Sequence, residues 1–300
     1  MLKIAWSEVY AHPLPDNHRF PMIKYDLIPE QLLYEGTIAD HNLFEPKPAS
    51  EKLITTTHDI EYWNKLKTCS LSKSEQRRTG FPLSKQLVRR EMVIMQGTID
   101  AARHALKNRI AMNAAGGTHH AFTNKGEGFC LLNDMAMGAR YLLNNKIRQK
   151  ILIIDLDVHQ GNGTAEIFKN ESDVFTFSMH GDKNYPLHKE KSDLDIPLPD
   201  FTDDVTYLDL LEKNMAVLFE RVQPDFVFYQ SGVDVLETDK LGRIALSIDG
   251  CKKRDHLVLS SCLNNEVPIV VSMGGGYSEK ITNIVEAHAN TFRLAQELFF

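Results

Sequence analysis

Several things are scarce in this 300-residue chain, and each absence removes a class of protein. Its four cysteines, Cys69, Cys130, Cys251 and Cys262, form no CxxC pair and no framework spacing. That argues against a disulfide scaffold and for free thiols in a reducing compartment, so the expected location is the cytoplasm. No stretch approaches the roughly 18 to 20 apolar residues of a membrane span, and Met1–Trp6 has no apolar leader core. Neither a span nor a secretory leader is expected. Long runs of Lys or Arg are missing too, and the net charge is -6, which argues against general nucleic-acid binding. No linker, internal repeat or low-complexity tract interrupts the chain. One domain over residues 1–300 is the economical expectation, and a monomer the simplest assembly.

What remains is ordinary in bulk, 43% hydrophobic and 25% charged, and informative in pattern. Gln86–Leu106 carries apolar residues at helical spacing and predicts a long helix. Shorter helices are expected over 22–34, 60–66, 133–143, 203–222, 252–263 and 278–298. Strands are expected over 2–6, 109–113, 151–157, 174–178, 226–230 and 268–272. The segments 70–80 and 181–201 show no periodicity and are expected to be loops. Strand and helix alternate through the second half, which predicts a three-layer α/β protein with a mostly parallel central sheet flanked by helices.

Ligands of such sheets sit outside the carboxyl ends of the strands, so the residues just past each strand matter most. The central one reads ILIIDLDVHQGNG, Ile151–Gly163. Four apolar residues suit a strand buried on both faces, and Asp155, Asp157 and His159 then follow at alternate positions. Three polar groups on one face are costly to bury unless something pairs with them. A turn capped by its own carboxylates is one account. A divalent metal is the other: Asp157 and His159 offer one oxygen and one nitrogen, and a catalytic zinc takes three protein ligands. Asp155 would then orient a histidine.

Other strand ends deliver His119 and His120, Ser178 and His180, Gln230 and Asp234, and Gly274–Tyr277. Adjacent imidazoles beside a metal are candidates for proton transfer near neutral pH. Asp234 is a candidate for a third ligand, and the Tyr277 hydroxyl could donate to a developing oxyanion. A phosphate-cradling reading fares worse: Gly161-x-Gly163 is followed by Glu166 at the third fingerprint position, and no G-x-x-x-x-G-K is present.

Taken together, these residues resemble the zinc-dependent histone deacetylase family, which has the arginase-deacetylase fold. The resemblance runs through HPLPDNHRFPM at His12–Met22, GGTHHAF at Gly116–Phe122 and GEGFCLLND at Gly126–Asp134. It continues through DLDVHQGNGT at Asp155–Thr164, QSGVDVLETDKLG at Gln230–Gly242 and SMGGGY at Ser272–Tyr277. Compact length and Arg78–Pro82 look most like the class IV branch and its short bacterial relatives. The resemblance implies Asp157, His159 and Asp234 as zinc ligands, His119 and His120 as the catalytic pair, Asp155 behind His119, and Tyr277 on the acyl carbonyl. It implies a substrate tube involving Gly128, Phe129 and Gly275, with Tyr185 opposite Phe129. It implies a structural potassium ion near Asp155, Asp157, His159, Ser178 and the Met179 carbonyl, and an internal product channel with Arg19.

Two departures stand out. Asn162 occupies the place behind His120 where several branches have aspartate. No aspartate that would grip a peptide backbone is found between Phe81 and Arg90. The implied activity is hydrolysis of the amide of an acyl-lysine on a protein or peptide, with a fatty acyl chain as one form. An acetylpolyamine or similar small amine is the alternative substrate, and a non-catalytic acyl-lysine binder the alternative of another class.

Overall fold

In the computed structural model, which describes residues 1–300, eight strands form one sheet in which every pairing is parallel. They are β1 (Ile4–Ala5), β2 (Leu43–Phe44), β3 (Ile110–Asn113), β4 (Ile151–Asp155), β5 (Val174–Gly181), β6 (Leu194–Leu198), β7 (Phe226–Gln230) and β8 (Ile269–Ser272), in the spatial order β2-β1-β3-β8-β7-β4-β5-β6. Ten α-helices cover them: α1 (Lys24–Tyr34), α2 (Glu51–Ile54), α3 (Ile60–Lys67), α4 (Lys73–Thr79), α5 (Lys85–Asn108), α6 (Asp134–Asn144), α7 (Asn162–Phe168), α8 (Asp204–Val222), α9 (Ile248–Asn264) and α10 (Ile281–Phe299).

The pleat sorts the central strands between two cores. Ile151, Ile153, Phe226 and Phe228 pack with an alanine-rich helix face that includes Ala102, Ala105, Ala136 and Ala139. Leu152, Ile154, Val227 and Tyr229 point the other way into a larger core. Burial on both faces is why these strands read as continuous apolar runs.

Three expectations are corrected. The segment 70–80 holds α4, which opens on a capping box: Ser72 Oγ accepts from Glu75 N–H at 3.2 Å and Glu75 accepts from Ser72 N–H at 2.7 Å. The S-x-x-E signal was present in Ser72–Glu75 but has no apolar run behind it. The segment 181–201 contains the edge strand β6, where Pro197 is tolerated because its missing N–H costs no central ladder. At the heart of the sheet, β4 ends at Asp155, so Asp157 and His159 are not on a strand. Leu156 and Val158 still turn into the core, which keeps the polar alternation intact.

Candidate active site

Just past β4, each carboxylate caps the backbone two residues on. Asp155 accepts from Asp157 N–H at 3.2 Å, and Asp157 from His159 N–H at 3.0 Å. The carboxylate-capped turn and the candidate ligand array are therefore built from the same residues. From the end of β7, Asp234 joins them, and one donor atom each of Asp157, His159 and Asp234 lies within 4.8 Å of the others. His159 Nδ1 is 3.0 Å from Asp157 Oδ1 and 3.1 Å from Asp234 Oδ2. The remaining carboxylate oxygens are held by backbone: Asp157 Oδ2 accepts from Gly275 N–H and Asp234 Oδ1 from Val158 N–H, both at 2.9 Å.

This donor set fits a divalent cation. All three side chains are buried, and burial together with the Asp157 carboxylate pushes the Asp234 carboxyl up to about 7. Two carboxylates and an imidazole in so dry a place need a positive charge between them. Gly275 lines the inner pocket directly against these carboxylates. A Cβ there would run into the carboxyl oxygens of Asp234 and Asp157, so only glycine admits this approach.

The loop after β3 brings two histidines to the same spot, with ring centroids 4.1 Å apart. His119 Nδ1 is 2.7 Å from Asp155, and His120 Nδ1 is 2.6 Å from Asn162 Oδ1. The Asp155 carboxylate draws the His119 pKa upward against burial, whereas burial, followed by the charges of His119 and His159, holds His120 well below the ordinary range. Asp134 fixes this loop from below. Its oxygens accept from Thr118 N–H, Thr118 Oγ1, Thr98 Oγ1 and Ser272 Oγ. The role of Asp134 is invisible in the linear pattern because its partners lie on three other segments.

Above the histidines, Gly128 and Phe129 form one wall, both at positive φ (55° and 66°), and Tyr185 stands edge-on to His120 at 5.0 Å. Tyr277 is half-buried, with Phe129 at 5.9 Å and His159 at 6.4 Å. A mouth cavity of about 400 Å³ includes Phe129, Tyr185, His120, His159 and Tyr277 among its walls. Beneath it, and sharing its His120, Phe129, His159 and Tyr277 walls, a narrow pocket of about 30 Å³ reaches Arg90. Arg19, placed by resemblance in an internal channel, is instead exposed at the mouth, its guanidinium 5.0 Å from the Phe129 ring centroid. Arg90 is the arginine that faces the interior.

Further residues emerge only in three dimensions. Glu127 accepts from Asn162 Nδ2 at 2.7 Å. Arg254, buried under the sheet edge, donates to the carbonyls of Leu156, Ser231 and Gly232, and so ties the β4 and β7 exits together. Ser178 sits opposite Asp155 in the β4–β5 register, with its hydroxyl 2.9 Å from His180 Nδ1.

Fold and donor set together define a hydrolase of the arginase-deacetylase type. Comparison with known proteins narrows the class: the histone deacetylase domain matches residues 18–292, and the chain belongs to the histone deacetylase family, which generally uses zinc. An uncharacterized protein of Picosynechococcus sp. is 41% identical over 99% of both chains. Histone deacetylase 2 of Arabidopsis thaliana is 27% identical over 89% of this chain and 72% of its own length. The structure of a histone deacetylase homologue from Aquifex aeolicus superposes with a TM-score of 0.83 at 25% identity, covering 99% of this chain and 83% of that one. No helix is long and apolar enough to cross a membrane.

Proposed function

We propose that residues 1–300 form one catalytic domain that hydrolyses the amide of an N-acylated lysine side chain on a protein or peptide. The observation that carries this reading is the meeting of Asp157, His159 and Asp234 with the two backed imidazoles of His119 and His120 at the floor of a walled mouth. A zinc ion held by those three ligands would supply Lewis acidity at the scissile carbonyl. His120 keeps its Nδ1 proton on Asn162, which leaves Nε2 free to take a proton from the attacking water. The same nitrogen then returns a proton to the departing lysine amine. His119, fixed by Asp155, holds positive charge beside it, and Tyr277 donates its hydroxyl to the developing oxyanion. Phe129, Tyr185 and Gly128 flank the apolar lysine stem. Asp155, Asp157, His159, Ser178 and the Met179 carbonyl are the set for a structural potassium ion, supported by the burial of Ser178 opposite Asp155.

The small inner pocket, with room for a water or two, favours acetyl over a fatty chain in this conformation. The class IV likeness is what keeps longer acyl groups in the test. Rates on one lysine peptide carrying acyl chains of two to about sixteen carbons, with acetylpolyamines alongside, should peak at the shortest chain on the peptide. Hydrolysis of none of them would defeat the reading, and a rate maximum at a long chain or on a polyamine would replace the substrate.

Glu127 is a positioning residue in this scheme. By accepting from Asn162 Nδ2 it fixes which end of the amide faces His120, so that Asn162 Oδ1 accepts and Nε2 remains basic. Glu127→Ala should lower kcat about tenfold with little change in KM and displace the acidic limb of the pH–rate profile. Glu127→Gln, which keeps an acceptor, should recover most of the loss. Equal defects in both variants, with an unmoved pH profile, would leave Glu127 only a structural part.

A further inference from the structure

The mouth carries charge of one sign. Arg19, Arg77 and Arg78 line it, and no carboxylate does. Elsewhere on the surface Arg140, Arg243 and Arg293 each hold a carboxylate, at 2.5, 2.7 and 2.7 Å. The three rim guanidiniums hold none, in a chain whose net charge is -6. A nearby carboxylate, Glu127, is buried and already engaged by Asn162 and, at 3.5 Å, by Lys125.

The rim is also built rather than draped. Arg77 and Arg78 occupy the last turn of α4, and the helix end is stitched to the tube wall. Gly128 N–H donates to the Arg78 carbonyl at 3.1 Å and Phe129 N–H to the Thr79 carbonyl at 2.8 Å. A ring nitrogen of His18 reaches the Gly80 carbonyl at 2.9 Å, which brings the Arg19 segment to the same place. Phe20 packs edge to face on Phe81 and Phe129 beneath, and those two rings tilt against each other, with centroids 5.2 to 5.3 Å apart. Basic residues at a helix C-terminus complement its dipole, which accounts for Arg77 and Arg78 alone. It does not account for Arg19, which comes from a different segment and lies over Phe129.

We propose that this arginine rim selects acyl-lysines with acidic neighbours, the guanidinium groups receiving Asp or Glu carboxylates of the substrate while the acyl-lysine enters the tube. The proposal rests on the acyl-lysine reading above. Guanidinium pairs carboxylate through two parallel N–H donors, so a fixed rim gives register as well as attraction. Polyamines and Lys/Arg-rich tails would meet like charge at the same point.

The test uses acetyl-lysine peptides identical except for flanking Asp/Glu, Ser/Gly or Lys/Arg, with kcat/KM and Kd by fluorescence anisotropy measured on the whole protein. The acidic peptide should exceed the neutral one by about tenfold in kcat/KM, mainly through KM, at low salt. The advantage should shrink toward unity near 0.5 M salt. Arg19→Ala/Arg77→Ala/Arg78→Ala should bring the acidic-to-neutral ratio within about twofold, and Arg77→Glu/Arg78→Glu should turn it toward the basic peptide. No acidic preference in the unmodified protein, or one that survives in the triple variant, overturns the proposal. If no peptide is hydrolysed, the function proposed above fails, while the anisotropy ratios still decide the rim.

Discussion

Tyr277→Phe is expected to lower kcat by about 100- to 1000-fold while metal content stays near one zinc per chain. The hydroxyl is the only group removed, and Tyr277 is held by its backbone rather than by that group: its N–H donates to Asp239 at 2.6 Å. The ring keeps its place beside Phe129 and Phe20, so the loss falls on transition-state stabilisation. His120→Ala should cost a comparable factor by removing the group proposed to handle the proton. Neither residue belongs to the donor set, so bound metal measured by mass spectrometry separates chemistry from metal loss. Full turnover in either variant would end the assignment.

Asp234→Asn is expected to abolish turnover by the other route. The variant keeps an oxygen for Val158 N–H but loses one of the two anionic ligands, so zinc should fall well below stoichiometric after dialysis. Stability should report it as well. Zinc should raise the Tm of the unmodified protein and leave that of the variant nearly unchanged, since only a ligand bound to the folded state stabilises it. Without metal, the variant should be no less stable than its parent, because burial and Asp157 already oppose a second negative charge at that site. Retention of one tightly held zinc by Asp234→Asn would mean that the metal sits elsewhere.

The site was legible in sequence where its parts are local. Asp155, Asp157 and His159 follow one apolar strand within five residues, and their alternation survives even though the strand stops at Asp155. His119–His120 and Gly274–Tyr277 likewise follow their strands. What the local pattern did not carry were supporting partners remote in sequence, although Asp234 and Asn162 were reached through their motifs. Glu127 and Asn162 are 35 positions apart, and Asp134 meets Ser272 across 138. The arginine rim was hidden because α4 is too short and too polar to show a period, and because Arg19 reaches the mouth only through packing on Phe129. The two N-terminal strands went partly unseen for a related reason. At two residues each, they are defined by the neighbour they pair with and not by their own pattern.

The three donor atoms have a further meaning for the life of the chain. His159 and Asp234 are separated by 75 positions and meet only because β7 has docked beside β4, with Arg254 tying the two exits. No partly folded chain lacking that docking can assemble the full set, so a zinc ion held by it would discriminate between the finished molecule and everything short of it. Its free concentration would then act as a quality signal. Metal-starved chains would open more often and be degraded sooner, and abundance would follow zinc supply even with synthesis held constant.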